Sequence, residues 1–404
     1  GEHPEFSEEE RGNLLGECDL ILSFLCYNDI SAMSRLHRSA SKQMSRPAIS
    51  IQNSGGWTFG SPSVLMMFYR APGELESELA EMDECMPHYY RVTNRHGQGA
   101  ETIMRAEALF CQGHVTDAHI ELERAYAQVG GNGQINMALC CDFLSWRLSL
   151  HTDVERRYTF SERYAALLRY HDASWINIWS ATSAYYHALR GETDKIPEIF
   201  SQHRLSDIHL LAPGKPMMEM IENQVYLAQG AYAKVVVRSA ELLTACEAMH
   251  YALVALHIRI QTAAAYARLG KPETAHTWLQ KALSDAGPDG LVMPFAENYS
   301  LLKPLLARET RSAFAARITA LGEAAQARGA ERLRPAAFRA LTAREFEIVE
   351  LMAQRLSNRE IAQKCYLSEG SVKQYVNQIY SKLHIAGDTR TKRAQLAALL
   401  HEKT

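Results

Sequence analysis

The chain reads as all-α, and three observations say so. The first 330 residues run almost entirely at helical spacing with short connections, a Ser/Gly-rich loop around 53–62 being the exception. Glycines recur at a step near 39 residues, each where a helix-helix turn would need one. From Leu341 to Leu383 three short helices follow one another with clear start signals. Three parts result: an array of helical pairs at 1–326, a linker at 327–340 and a compact four-helix domain at 341–404.

In the array, Gly113 precedes Ala118 by five residues and Ala125 by twelve, and Gly270 stands in the same relation to Ala275 and Ala282. A glycine at the turn, then small residues where the second helix packs closely, is the pattern of a tetratricopeptide-like hairpin. Gly191 and Gly230 are spaced consistently, and the step predicts further turns near Thr152 and Gly73. The period exceeds the usual tetratricopeptide length, so the helices are longer and the repeats degenerate. Such pairs stack into a superhelix whose concave inner face is expected to be an interaction surface. Trp175, Trp179, Tyr185, Tyr186 and His187 are candidates to line it, although aromatic residues at helical spacing fit a core better.

The stretch 327–340, ARGAERLRPAAFRA, reads as a hinge rich in alanine and arginine. Thr342 with Glu345, and Ser357 with Glu360, then form two capping boxes fifteen residues apart. Leu341 with Phe346, and Leu356 with Ile361, staple them. Ser368 caps a third helix, with only Tyr366 and Leu367 as a turn before it. On that helix Val372, Val376, Ile379 and Leu383 make one apolar stripe, and Lys373, Gln374, Asn377, Gln378, Ser381 and Lys382 make the opposite face. Those side chains reach phosphates and base edges, and two helices joined by a tight turn with that face are a helix-turn-helix. Charge agrees: residues from 331 onward carry 13 Lys/Arg against 8 Asp/Glu, while the first 330 carry 30 against 38.

Composition excludes little else. Of eight cysteines none forms a Cys-x-x-Cys pair, which suits buried free thiols in a reducing cytoplasm; a metal site at Cys140, Cys141 and His151 is the sharper and weaker alternative. The longest uncharged stretch contains prolines, glycines and asparagine, so no membrane span is expected. The opening Gly-Glu-His, without methionine, reads as the start of a fragment. G-x-S-x-G, H-E-x-x-H and phosphate-loop motifs are missing, and His114 and His119 have no catalytic company, so neither an enzyme nor a cofactor is expected.

The run Leu341-Thr342-x-Arg344-Glu345, then Ser357 to Ala362 (SNREIA), Ser368-x-x-Ser371-Val372-Lys373 and Ile379-x-x-Lys382-Leu383 resembles the LuxR-type (GerE) DNA-binding domain over about 65 residues. Arg355 stands where that family usually has glycine, and Tyr375 where histidine is common. The resemblance implies that Lys373, Gln374 and Asn377 face base edges. Gln378, Lys382, Ser371 and Arg359 are further DNA-contacting candidates, with Lys373 and Lys382 expected to supply phosphate or guanine contacts. The resemblance also implies a dimerisation helix at 389–401, with Leu396, Ala397, Leu399 and Leu400 as its apolar residues. More loosely, the array with its segments 61–70 and 288–306 looks like the MalT-like subgroup, large LuxR regulators that begin with an ATPase domain. No G-x-x-x-x-G-K-[ST] loop is present here, so either that domain precedes this chain or the protein lacks one.

The leading expectation is a cytoplasmic transcription regulator that binds double-stranded DNA as a homodimer, its array sensing an unidentified effector ligand or protein partner. The alternative is an interaction scaffold whose terminal module does not bind DNA.

Overall fold

A computed structural model describes residues 6–51, 60–130, 134–154, 156–208, 212–333 and 336–401, and among them there are helices and no strand. The chain divides into two compact units, Gly1–Glu323 and Ala324–Thr404.

The first unit opens with α1 (Glu8–Leu25), α2 (Ile30–Gln43), the short α3 (Val64–Phe68) and α4 (Leu75–Val92). Five helical pairs follow: α5 (Ala100–Cys111) with α6 (Val115–Gly130), α7 (Ile135–His151) with α8 (Phe160–Leu167), α9 (Ala173–Leu189) with α10 (Glu198–Ser201), α11 (Lys215–Ala228) with α12 (Tyr232–Met249), and α13 (Ala252–Arg268) with α14 (Pro272–Ala286). After α15 (Met293–Glu297) and α16 (Tyr299–Leu306), α17 (Ala313–Leu333) runs across the boundary between the units.

Gly73, Gly113, Gly191, Gly230 and Gly270 all have positive φ, between 70° and 89°. That is the left-handed region where a helix ends at low cost only on glycine. The turn expected near Thr152 is also present, α7 ending at His151. Three of the second helices bury the same strip, counted from their glycine: Ala118, Leu122, Ala125 and Val129 on α6, Val235, Ser239, Leu242 and Cys246 on α12, and Ala275, Leu279, Ala282 and Ala286 on α14. Each strip begins five residues after its glycine and advances by four, three and four, one face of a helix. The first helices α7, α9, α11 and α13 are buried around most of their circumference: α7 packs on α5, α6 and α9, α9 on α8, α10 and α11, α11 on α12 and α13, and α13 on α12 and α14.

Both α5 and α13 pack against α3 and α15, whose apolar residues are all buried. Leu65 donates its amide to Glu107 of α5 at 2.8 Å; Glu297 at the end of α15 takes a two-pronged bond from Arg147 of α7 and one from Tyr185 of α9; Gln224 of α11 donates to Asn298. Segments 61–70 and 288–306 thus pack together against these helices. Two short apolar segments far apart in sequence meet there, which local pattern does not announce. Burial pushes the Glu107 carboxyl up to about 7 and the His257 imidazole down to about 3.

The aromatic cluster is core: Trp175, Tyr185 and Tyr186 are buried, and Trp179 and His187 half-buried. Cys85, Cys111, Cys140, Cys141, Cys246 and Cys365 are buried free thiols, Cys26 is half-buried and Cys18 exposed. Among the described residues no cluster of three or more His, Cys, Asp or Glu could hold a metal ion, and no helix is long and apolar enough to cross a membrane.

The stretch 327–340 departs from a simple linker. It is helical to Leu333 as part of α17, and Phe338 is fully buried in the core of the second unit, edge-on to Phe346 at 5.6 Å. Alanine and arginine are strong helix formers, so that composition serves a helix as well as a hinge.

Candidate nucleic-acid interface

The second unit contains α18 (Ala343–Ala353), α19 (Asn358–Cys365), α20 (Glu369–Lys382) and α21 (Thr389–His401). Both capping boxes form. Thr342 N–H donates to Glu345 Oε2 at 2.7 Å while Glu345 N–H donates to Thr342 Oγ1 at 3.3 Å; Ser357 and Glu360 repeat this at 2.7 and 3.3 Å. Ser368 Oγ accepts from Ser371 N–H at 3.0 Å and starts α20. Leu341, Ile348, Val349, Met352, Ile361, Cys365, Val372, Ile379 and Leu396 are buried together, with Val376 and Leu383 packed partly against them. α20 buries Val372, Ile379 and Tyr380, so the stripe read from sequence is widened by one tyrosine.

Two ties that no local pattern reveals hold α20 and α19 onto α18. Lys382 Nζ sits 2.8 Å from Glu345 Oε2. Arg344 reaches both Glu347, at 2.6 Å, and the carbonyl of Cys365 at the end of α19. Burial would raise the Glu345 carboxyl, but the Lys382 ammonium and the Thr342 amide and hydroxyl outweigh it and hold it below the usual range. The motif residues Thr342, Arg344 and Glu345 therefore cap one helix and fasten two others. Their signal was in the sequence as spacing; their partners were not.

The turn from α19 to α20 passes through Tyr366, left-handed at φ 53° and 97% exposed, with Leu367 N–H returning to Ala362 O at 2.9 Å. Beyond it, Lys373, Gln374, Asn377 and Gln378 are all exposed on one face of α20. Among the described residues Lys373 has only a loose surface pair, 3.8 Å to Glu369. The other candidates differ. Ser371 is half-buried, its Oγ bonded to Ser368 Oγ at 2.8 Å. Arg359 is exposed in the first turn of α19. Lys382 is turned back to Glu345. The face is an exposed, donor-rich patch of Lys, Gln and Asn on a helix held by a core behind it, which suits it to a major groove. On α21, Leu396 is buried and Leu399 and Leu400 are partly packed in the same core, so these apolar residues serve the unit itself; the Ala397 side chain lies outside the described residues.

Residues 339–394 match the family of bacterial regulatory proteins, luxR family. The chain is also 44% identical over 50 residues to the transcriptional regulatory protein LnrK of Bacillus subtilis (strain 168). The similarity covers 12% of this chain, and the chain spans 23% of that relative. The capped trio of helices, the exposed face of α20 and this match together make the end of the chain a LuxR-type helix-turn-helix domain.

Proposed function

We propose that this chain is a cytoplasmic transcription regulator that lays α20 in the major groove of double-stranded DNA. Lys373, Gln374 and Asn377 read base edges, Gln378 and Arg359 add contacts at the border, Ser371 sets the helix start, and Lys382 acts through Glu345. The observation that carries the reading is the joint exposure of Lys373, Gln374, Asn377 and Gln378 on one helix face, with no acidic residue on α20 after Glu369. The fitting experiment selects bound sequences from a random DNA pool, then compares the chain with its Lys373→Ala/Gln374→Ala variant. Each lost base contact removes about 1–3 kcal/mol, so the double variant should lose at least about 30-fold in affinity for the selected site while its helicity stays the same. Equal binding by both proteins at physiological salt would overturn the assignment.

The first unit is, on this reading, a tetratricopeptide-like sensor. The equal offsets of three buried strips from their glycines favour a degenerate repeat. A MalT-like arrangement draws support from segments 61–70 and 288–306, which lie together against the first helices. Homodimerisation on DNA completes the reading, since one small helix-turn-helix reads few base pairs and paired half-sites raise specificity.

A further inference from the structure

We propose that the first unit binds a small organic carboxylate with an apolar body, in a cavity between the α12–α13 turn, α14 and the segment that follows α3. The assignment rests on the reading of this unit as a sensor and names the site and class of its effector.

The cavity measures about 300 Å³, at the lower end of small-molecule sites, which suits a ligand of roughly ten to fifteen non-hydrogen atoms. Its floor is one face of α13. Ala252, Ala255, Leu256 and Arg259 fall at i, i+3, i+4 and i+7, and the two alanines leave the space that larger residues would fill. Tyr69 and Tyr251 add aromatic wall. The α12–α13 turn is fixed there: Asn28 Nδ2 donates to the carbonyls of Met67, Met249 and His250, and Ala252 N–H donates to Tyr69 O at 3.1 Å. The walls are thus set by bonds between distant segments, and the site stands preformed.

The polar lining is cationic in balance. Arg70, Arg259 and Lys281 face two acids, Glu247 and Asp285. One of those acids is shared: Asp285 pairs with Arg259 at 3.0 Å and with Lys281 at 2.8 Å. Arginine and lysine carry roughly eight N–H donors between them, more than one carboxylate can accept. Arg70 pairs through Nη1 with Asp29 at 3.2 Å, while its Nε is buried and has no partner among the described residues. An apolar floor ending in Arg259, with Lys281 sharing the same acid and Arg70 also in the lining, is the arrangement that holds an acid by its carboxylate and its body by burial.

The test uses the full chain and a panel of benzoate, phenylacetate, phenylpyruvate and phenyl phosphate, each at millimolar concentration, with benzamide and phenylacetamide as uncharged controls. At least one carboxylate should raise the melting temperature measurably, since a ligand that binds only the folded state stabilises it, and the amides should not. Ala252→Trp, which fills the floor, should abolish the shift, and Lys281→Met should weaken binding about tenfold, one lost charged contact. Ala255→Leu replaces the tryptophan variant should that one fail to fold by circular dichroism. No shift with any carboxylate, or a shift undiminished by the filling variant, overturns the proposal; phenyl phosphate binding alone overturns the carboxylate assignment in favour of phosphate. DNA affinity is measured with and without the bound carboxylate. An unchanged value sinks the sensor reading while the binding site stands.

Discussion

The ammonium of Lys382, in the last turn of α20, lies 2.8 Å from a Glu345 carboxylate that is only 3% exposed. The same carboxylate closes the capping box of α18. A residue of α20 is therefore spent on holding that helix to its support. Lys382→Met leaves the carboxylate with its cap bonds alone, and we expect a loss of about 1–2 kcal/mol in a fragment of residues 324–404, since unpairing a buried charge costs more than a surface pair contributes. Because the Glu345 carboxyl is held below its unfolded value, its contribution is full above about pH 4.3 and is lost as pH falls through the folded value. Urea unfolding between neutral and acid pH should show a steeper decline for wild type than for the methionine variant. The salt slope of DNA binding should be unchanged; a decrease of about one unit would instead make Lys382 a phosphate contact.

Arg355 ends α18 in the left-handed region, at φ 63°, and is exposed. Its N–H donates to Met352 O at 3.0 Å, which is helix-end geometry. An L-residue pays steric strain there that glycine does not, so the glycine usual in LuxR-type domains has a physical basis at this position. Arg355→Gly should stabilise the 324–404 fragment by about 0.5–1 kcal/mol, read as a higher urea midpoint at unchanged slope. A lower midpoint would mean that the guanidinium makes a contact worth more than the strain.

What could be read ahead of the structure was what is local. Caps at Thr342, Ser357 and Ser368 depend on residues three positions away, and the glycine turns on the conformational freedom of one residue. The exposed face of α20 was legible for the same reason, as period and polarity within one helix. The turn of Lys382 toward Glu345 was not, because 37 residues separate the partners and nothing in either neighbourhood names the other. The packing of α3 and α15 was likewise not legible: Leu65 and Glu107 are 42 residues apart, and Arg147 and Glu297 150 apart, so they meet only through tertiary packing. Phe338 looked like linker since one aromatic among alanines and arginines shows no period.

The turn glycines are alike in φ but not in surroundings, which separates two costs. A Cβ on Gly270 would meet nothing within 4 Å, whereas on Gly113 it would meet Val292 Cγ2 at 2.9 Å and Leu321 Cδ1 at 3.0 Å. Gly270→Ala should therefore cost about 1 kcal/mol, the backbone term alone. Gly113→Ala should cost about 2–3 kcal/mol, overpacking being added. Thermal unfolding of the full chain orders the two variants, and equal losses would show that Val292 and Leu321 yield freely.

Arg147 and Glu297 are a buried ion pair, with side chains 2% and 0% exposed and two bonds of 2.8 and 2.9 Å. Burial would raise the Glu297 carboxyl; the Arg147 guanidinium reverses this and holds it below the usual range. Arg147 also lies over the Phe110 ring at 4.7 Å, so it packs as well as pairs. Removing one partner strands a charge in a dry core, and Arg147→Met should cost about 3–5 kcal/mol in the stability of the first unit. Removing both charges should cost far less, since apolar replacements of similar volume often match a buried pair. We expect Arg147→Met/Glu297→Leu to recover most of the loss, as a double-mutant cycle in thermal or urea unfolding would show. Failure to recover would locate the stabilisation in the bond that Tyr185 donates to Glu297 at 3.2 Å, which the leucine also removes. Tyr185→Phe alone separates the two cases, costing about 1 kcal/mol if the ion pair dominates.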